Sequence, residues 1–127
     1  MGSAGSYFYR ESNSATLVQT IEYSDFSKLK MRVGRVISAE RIPRTEKLLK
    51  IIVDMGQKQI QIASSLVGYY TTEELVGKQI VVLTNLKPSK FSDVLSEGML
   101  LCAEDEEKGI CVLLTPEKNV PEGTPIT

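Results

Sequence analysis

Residues 85–99 combine side chains that suit contact with a phosphate backbone. Lys87 and Lys90 lie on a turn that a proline stiffens, and their positive charges attract phosphate oxygens. Asn85 and Ser96 add short hydrogen-bonding groups, and Met99 adds an adaptable apolar surface. Because solvated lysines are common in loops, an ordinary proline-containing loop is the alternative on chemistry alone.

A second basic region lies upstream, in residues 28–50, where eight lysines and arginines accompany two glutamates. The candidates there for phosphate contacts are Lys30, Arg32, Arg35 and Lys47. The formal net charge of −1 argues against a nucleic-acid binder, but a phosphate backbone meets a local basic face and not the whole-chain sum. Residues 104–107 form an acidic block, so two solvated faces of opposite sign are the alternative.

Catalytic chemistry finds little support in the composition. The chain has no histidine, so the usual imidazole base is absent. Two cysteines without a histidine are too few ligands for a structural zinc. No glycine-rich phosphate loop follows a predicted strand. We therefore expect no enzyme activity, no catalytic residue, no metal site and no cofactor.

The elements that must position these side chains follow from the apolar pattern. The first strand, near residues 31–39, breaks its alternation at Val36 with Gly34 beside it, which is typical of a bulged and bent strand. Apolar residues alternate again over residues 48–54 and 60–62, which predicts a second and a third strand in a meander.

A capping box at Thr71 and Glu74 predicts a helix of about two turns that ends before Gly77. An apolar run over residues 80–83 then predicts the fourth strand. A short helix between strands three and four is the layout of a five-stranded oligonucleotide-binding (OB) barrel. The predicted fold class is therefore all-β.

The last two apolar runs, residues 99–103 and 110–114, are predicted to pair across the acidic turn. If Ala103 opposes Ile110, two cysteines face each other across the hairpin. Cross-strand neighbours are poor disulfide partners, so we expect two small buried thiols.

Length and composition indicate one small unit. At 127 residues, of which 42% are hydrophobic, the chain can bury one core and has no room for a second domain. No apolar stretch approaches the roughly 20 residues of a membrane span. We expect a soluble cytoplasmic protein without a membrane partner.

Residues 1–20 are expected to be a flexible extension, partly of the kind added for expression, and residues 21–127 are expected to be the folded domain. A short helix, capped by Ser24 or Asp25, is expected near the start of this domain.

Three sequence motifs carry a resemblance to a known family. They are Met31-Arg32-Val33-Gly34, Asn85-Leu86-Lys87-Pro88 and Ser96-Glu97-Gly98-Met99. In this order they resemble the tRNA-binding domain family. Its members include the carboxy-terminal domain or beta subunit of methionyl-tRNA synthetases, free-standing structure-specific tRNA-binding proteins and the cytokine-like domain of the multisynthetase complex.

The resemblance implies an OB barrel that binds tRNA by its structure and without catalysis. It also implies an accessory role that helps a synthetase, first of all a methionyl-tRNA synthetase catalytic chain, hold tRNA, and it implies a homodimer. A protein-interaction or assembly module with weak RNA affinity and a chaperone-like relative are the alternatives. The chain departs from the family pattern at Ser92 and Asp93, and at Ser65 where a glycine is usual, so weaker RNA binding is one expectation.

Overall fold

The structure, a computed structural model, describes residues 6–11 and 14–127, with side chains described from residue 17 onward. The elements follow one another along the chain as β1 Ser6–Glu11, β2 Ser14–Gln19, α1 Tyr23–Phe26, β3 Met31–Arg41, β4 Leu49–Asp54, β5 Gln59–Ser64, α2 Thr72–Leu75, β6 Gln79–Leu83, β7 Ser89–Phe91, β8 Val94–Ser96, β9 Met99–Leu100, β10 Cys102–Asp105 and β11 Ile110–Leu113. No helix in these described ranges is long and apolar enough to cross a membrane.

A curled antiparallel sheet forms the body of the molecule, with strand order β5-β4-β3-β6-β9. The first half of β3 pairs with β6 and the second half pairs with β4, so β3 belongs to both sides of the curl. A register shift between Val36 and Ser38 confirms the predicted bulge. Gly34 has another role, since a Cβ there would lie 2.5 Å from Val53 Cγ1 and 2.6 Å from the sulfur of Met55. The first strand therefore bends at its bulge and crosses β4 closely at its glycine.

The core confirms the predicted alternation. Leu49, Ile51 and Val53 of β4 are buried, as are Ile60 and Ile62 of β5. Removing such side chains from water is the main stabilisation of a barrel this small. The all-β OB-like fold is confirmed, with α2 between the third and fourth strands of the curled sheet.

The α2 helix is shorter than predicted. Its capping box is present, because Glu74 N–H donates to Thr71 Oγ1 at 3.1 Å and Thr71 N–H donates to Glu74 Oε1 at 2.7 Å. The helix has a single turn because Val76 already adopts an extended conformation and Gly77 follows with a φ of 93°. The predicted C′ glycine is thus confirmed, and the predicted two turns are wrong.

The amino-terminal region contains two strands that the sequence analysis does not predict. Within residues 1–20, β1 and β2 form an antiparallel hairpin in a sheet of their own. The following helix begins two or three residues earlier than expected, since Glu22 and not Ser24 or Asp25 is its N-cap. The Asp25 carboxylate accepts from Glu22 N–H at 3.3 Å, and Asp25 N–H donates to the Glu22 carbonyl at 3.0 Å, so Asp25 helps to fix the start of the helix from its third position.

The hairpin of β10 and β11 has a different register from the predicted one. Cys102 pairs with Leu113, and Cys111 pairs with Glu104, because β10 continues into the acidic block and shortens the turn. The two thiols are free and half-buried diagonal neighbours. Burial and the adjacent Cys111 side chain raise the pKa of Cys102 to about 12, so this thiol stays protonated at neutral pH.

Candidate nucleic-acid interface

The Asn85 side chain joins the end of β6 to the segment before β3. Its Oδ1 accepts from Lys30 N–H at 2.9 Å, and its Nδ2 donates to the Lys28 carbonyl at 2.7 Å. Thr84 adds two donors, its N–H and its hydroxyl, to the Lys30 carbonyl. The backbone of Lys30 is therefore fixed on both sides by residues just before Lys87, and the predicted ligand group of Asn85 is engaged within the fold.

The Ser96-Glu97 pair closes the barrel against β5. Ser96 Oγ accepts from Ala63 N–H at 3.0 Å and donates to the Gly98 carbonyl at 3.1 Å. Glu97 exchanges two bonds with Gln61, one from its own N–H and one to its carboxylate, each 2.8 Å long. The Ser96 hydroxyl and the Glu97 carboxylate thus accept from two N–H groups of β5 that a neighbouring strand would otherwise bind through its backbone.

Ser96 is only 6% exposed, and its hydroxyl is engaged within the fold, although the residue also borders the small groove under the β7–β8 hairpin. Its hydroxyl satisfies a backbone N–H that would otherwise be buried without a partner. The sequence alone does not reveal this bond, because a serine that binds backbone and a serine that binds a ligand look the same in a sequence.

Residues 85–99 contain a hairpin that the sequence did not predict. Strands β7 and β8 pair antiparallel, with Ser92 and Asp93 as the turn between them. Ser92 takes a φ of 55°, a conformation that favours glycine. Lys87, before the hairpin, and Lys90, within β7, are exposed, and no described side chain forms an ion pair with them.

Two of the three arginines of β3, Arg32 and Arg35, have partners at the carboxy-terminal segment. Arg32 Nη1 donates to the Gly123 carbonyl at 2.7 Å, although Arg32 itself is exposed. Arg35 Nε donates to Glu122 Oε2 at 2.9 Å, and its Nη1 donates to the Gly77 carbonyl at 2.8 Å. The Arg35 ion pair and a Gln79 amide hydrogen bond hold the pKa of the Glu122 carboxyl below its ordinary value. Arg35 thus fastens the end of the chain to the barrel.

The four upstream candidates do not form one cluster. Lys30 lies just before β3, whereas Lys47 lies just before Leu49, which pairs with Arg41 at the far end of that strand. With a rise of about 3.3 Å per strand residue, the two lysines are about 30 Å apart along β3. Both are exposed, and neither has an ion-pair partner among the side chains from residue 17 onward. The structure therefore groups Lys30 and Arg32 with residues 84–87 and leaves Lys47 separate.

Three concave surfaces of the described residues adjoin the grouped cations, and one of them, of about 200 Å³, is lined by Lys30 and Arg32 next to α1. A groove of about 570 Å³ is lined by Arg32, Lys58, Thr84 and Glu97, among others. A smaller one, of about 100 Å³, lies under the β7–β8 hairpin. The sequence does not single out Lys58 as a candidate, because it lies outside the basic region of residues 28–50.

The described residues contain no group of three His, Cys, Asp or Glu side chains that could hold a metal ion. Exposed cations, hydrogen-bond donors and shallow grooves suit the binding of a large anionic partner by contact.

Comparisons with known proteins agree with this geometry. The methionine–tRNA ligase of Methanocaldococcus jannaschii is 45% identical over 116 residues, which are 91% of this chain and 18% of the ligase. That of Archaeoglobus fulgidus is 52% identical over 106 residues, 84% of this chain and 16% of the ligase. The chain thus spans less than a fifth of the length of these relatives.

Two solved structures have the same fold. The MetRS-related protein from Pyrococcus horikoshii superposes with a TM-score of 0.81 at 40% identity, over 87% of this chain and all of that one. The chaperone CsaA from Bacillus anthracis superposes with a TM-score of 0.77 at 30% identity, over 85% of this chain and 99% of that one.

The family comparison covers the whole barrel. Residues 31–125 match the tRNA binding domain family, whose domain is a non-catalytic binding module, in agreement with the expectation that this chain is no enzyme. The match includes the three motifs and all five strands of the curled sheet. The protein therefore belongs to the tRNA binding domain family.

Proposed function

We propose that this protein holds folded tRNA through phosphate contacts from two segments, residues 28–32 and 84–90, which are joined by the hydrogen bonds of Thr84 and Asn85. The observation that carries the proposal is the fixed position of Lys30, whose backbone is bonded to Thr84 and Asn85 just before Lys87. Lysines on a fixed backbone lose less conformational freedom when they meet phosphates. Such contacts position an RNA by its shape and read little sequence.

Within this proposal the predicted residues have different roles. Lys30, Arg32, Lys87 and Lys90 contact phosphates, and Lys58 extends the surface across the larger groove. Met99, which is 42% exposed, adds apolar contact beside the lysines. Arg35, Asn85 and Ser96 act by holding the backbone, and Lys47 contributes only if the RNA extends to the far end of β3.

The affinity for unfractionated tRNA, measured by filter binding over a range of salt concentrations, tests the proposal. The double variant Lys87→Ala/Lys90→Ala is compared with Lys108→Ala/Lys118→Ala, which removes the same charge elsewhere. We expect the first pair to weaken binding and to make the log–log salt slope shallower by about 0.7–0.9 per lost contact. The second pair should leave that slope unchanged.

Equal losses in the two double variants would mean that net charge alone drives binding. If the unmodified protein does not bind tRNA even at low salt, the proposal fails, and the assembly-module alternative takes its place. The similarity to CsaA chaperones favours a second candidate, binding of unfolded polypeptide. Suppression of aggregation of a denatured protein, with and without competing tRNA, separates the two functions.

The accessory role is a finer part of the proposal. The methionine–tRNA ligase relatives support a partnership with a methionyl-tRNA synthetase catalytic chain in the cytoplasm. A synthetase assay with and without this chain should then show a lower KM for tRNA and an unchanged kcat, because only substrate holding is affected. A change in kcat alone would argue against this role.

The homodimer, which the sequence resemblance implied, is proposed to form through the surface around α1. Ile21 and Tyr23 are 64% and 79% exposed, and Leu29 is exposed beside them. Exposed apolar groups of this size mark an interaction surface when they are contiguous. Sedimentation should give a dimer for the unmodified protein and a monomer for Tyr23→Glu. Val112→Glu, on another exposed apolar face, is the control that should remain dimeric.

A further inference from the structure

Apolar side chains surround the small groove under the β7–β8 hairpin. Leu86, Phe91 and Met99 line it, together with Ala63 and the backbone around Gly98. Phe91, which has no polar atom on its ring, is 40% exposed. The fold does not need this ring to fill its core, since Phe91 is absent from the buried cluster.

The hairpin geometry gives its two faces different chemistry. Side chains alternate across a strand, so Ser89 and Phe91 of β7 share one face with Ser96 of β8. These three residues line the groove, and so does Lys87. Lys90 and Leu95, which pair with each other across the hairpin, lie on the opposite face. The groove therefore combines one aromatic ring, two aliphatic side chains and one lysine.

The edge of β5 adds a hydrogen-bonding group to the same groove. Ala63 N–H donates outward to Ser96 Oγ, away from β4. In an antiparallel ladder the N–H and C=O of one residue point to the same side, so the Ala63 carbonyl also faces β8. A carbonyl at this edge can accept from the exocyclic amine of a nucleobase.

We propose that this groove binds one unpaired nucleotide of a structured RNA, with the base stacked on Phe91 and its phosphate held by Lys87. Leu86 and Met99 close the apolar sides around the base, and the flanking lysine favours a nucleotide over an apolar peptide. The inference rests on the proposed tRNA binding and adds a contact that needs an unstacked base. Paired helices stack their bases internally, so the groove selects loops, bulges or single-stranded ends.

Tryptophan fluorescence gives a direct test, since the chain contains no tryptophan. Phe91→Trp places a reporter in the groove, and Leu95→Trp places the matched control on the other face of the hairpin. Titration with single-stranded hexaadenylate should quench the reporter at position 91 by stacking. The signal at position 95, which pairs with the phosphate-contacting Lys90, should change much less because no base stacks there. A blunt RNA duplex without unpaired bases should quench neither.

Affinity measurements separate this inference from the proposed function. Phe91→Ala should weaken binding of unfractionated tRNA by roughly 5- to 100-fold, whereas Phe91→Tyr should bind as the unmodified protein does. The salt slope should not change with Phe91→Ala, because a base stack releases no counterion, while Lys87→Ala should make it shallower. Thermal melts of each variant establish that the fold is retained.

If Phe91→Ala binds tRNA as tightly as the unmodified protein, the stacking inference is wrong and the phosphate contacts stand. If the unmodified protein binds no tRNA, both are wrong. Quenching at position 91 by an unfolded polypeptide in place of RNA would overturn the inference in favour of peptide binding.

Discussion

The two ends of residues 85–99 contrast with the hairpin between them. At the ends, Asn85 and Ser96 direct their polar groups inward and bond to backbone of other segments. In the middle, Lys87, Lys90 and Phe91 are exposed. Residues 85–99 therefore contain two kinds of side chain with different roles. Asn85 and Ser96 are polar anchors that hold the segment in place, and the hairpin between them presents charged and aromatic side chains. Changes at the anchors and changes at the hairpin should accordingly affect different measurements.

Ser96→Ala should have the largest effect on stability. It removes the acceptor for Ala63 N–H and leaves this part-buried donor unsatisfied, which costs about 1–2 kcal/mol of the free energy of unfolding. Ser89→Ala is the matched control, because Ser89 pairs with Ser96 across the hairpin and is exposed. Urea denaturation should show a lowered midpoint for Ser96→Ala alone. A variant as stable as the unmodified protein would mean that Ser96 is no anchor.

Asn85→Ala should show a smaller loss of stability together with a loss of binding. Asn85 is exposed, so removal of its two hydrogen bonds should lower the free energy of unfolding by about 1 kcal/mol. The segment that carries Lys30 then loses part of its fixed position, so the affinity for tRNA should also fall. Asn119→Ala, at another exposed asparagine, should change neither quantity. Lost affinity with full stability would instead favour a direct contact between Asn85 and RNA.

The sequence predicted the barrel well because its apolar alternation is long and regular. The spacing of Leu49, Ile51 and Val53 predicts β4, and the spacing of the apolar residues in β5 predicts that strand. The break in the alternation of β3 predicts its bulge. The capping box at Thr71 can be predicted for a different reason, because its hydrogen bonds join residues that are close in sequence.

The candidate site was harder to predict because its decisive contacts are distant in sequence. Asn85 bonds to Lys30 across 55 residues, and Ser96 bonds to Ala63 across 33. The side-chain types alone do not distinguish such partners from a ligand. The β7–β8 hairpin was missed because three-residue strands show no clear period and Ser92 is not a typical residue for a φ of 55°.

Glu122→Gln tests a third anchor, the ion pair between Arg35 and the carboxy-terminal segment. The pKa of Glu122 lies below its ordinary value in the folded state, so its stabilisation is present above the ordinary value of 4.5. It is lost as the pH falls through the lower folded-state pKa. The unmodified protein should therefore be slightly more stable than Glu122→Gln at pH 7, and the difference should vanish in acid. The difference should be small because the pair is partly exposed.

Glu117→Gln, at an exposed glutamate, is the control for Glu122→Gln. A difference in stability at Glu122 that persists in acid would contradict the ion-pair account.

Ser92→Gly should have the smallest effect, and it is the one change that should stabilise the protein. Ser92 takes a φ of 55° in the two-residue turn, a conformation that glycine adopts without a steric cost. Relief of this strain is worth about 1–2 kcal/mol, and the extra flexibility of a glycine in the unfolded chain costs about 0.4–1 kcal/mol, so the free energy of unfolding should rise slightly. Ser65→Gly is the control, since Ser65 has no positive φ and gains only flexibility, so it should destabilise slightly. Both serines stand where the sequence departs from the family pattern, yet only the Ser92→Gly change should raise the stability.

The tRNA affinity of Ser92→Gly should stay unchanged, because the turn carries neither Lys87 nor Phe91. A large gain in affinity would mean that the conformation of this turn, and not only its neighbouring lysines, limits RNA binding.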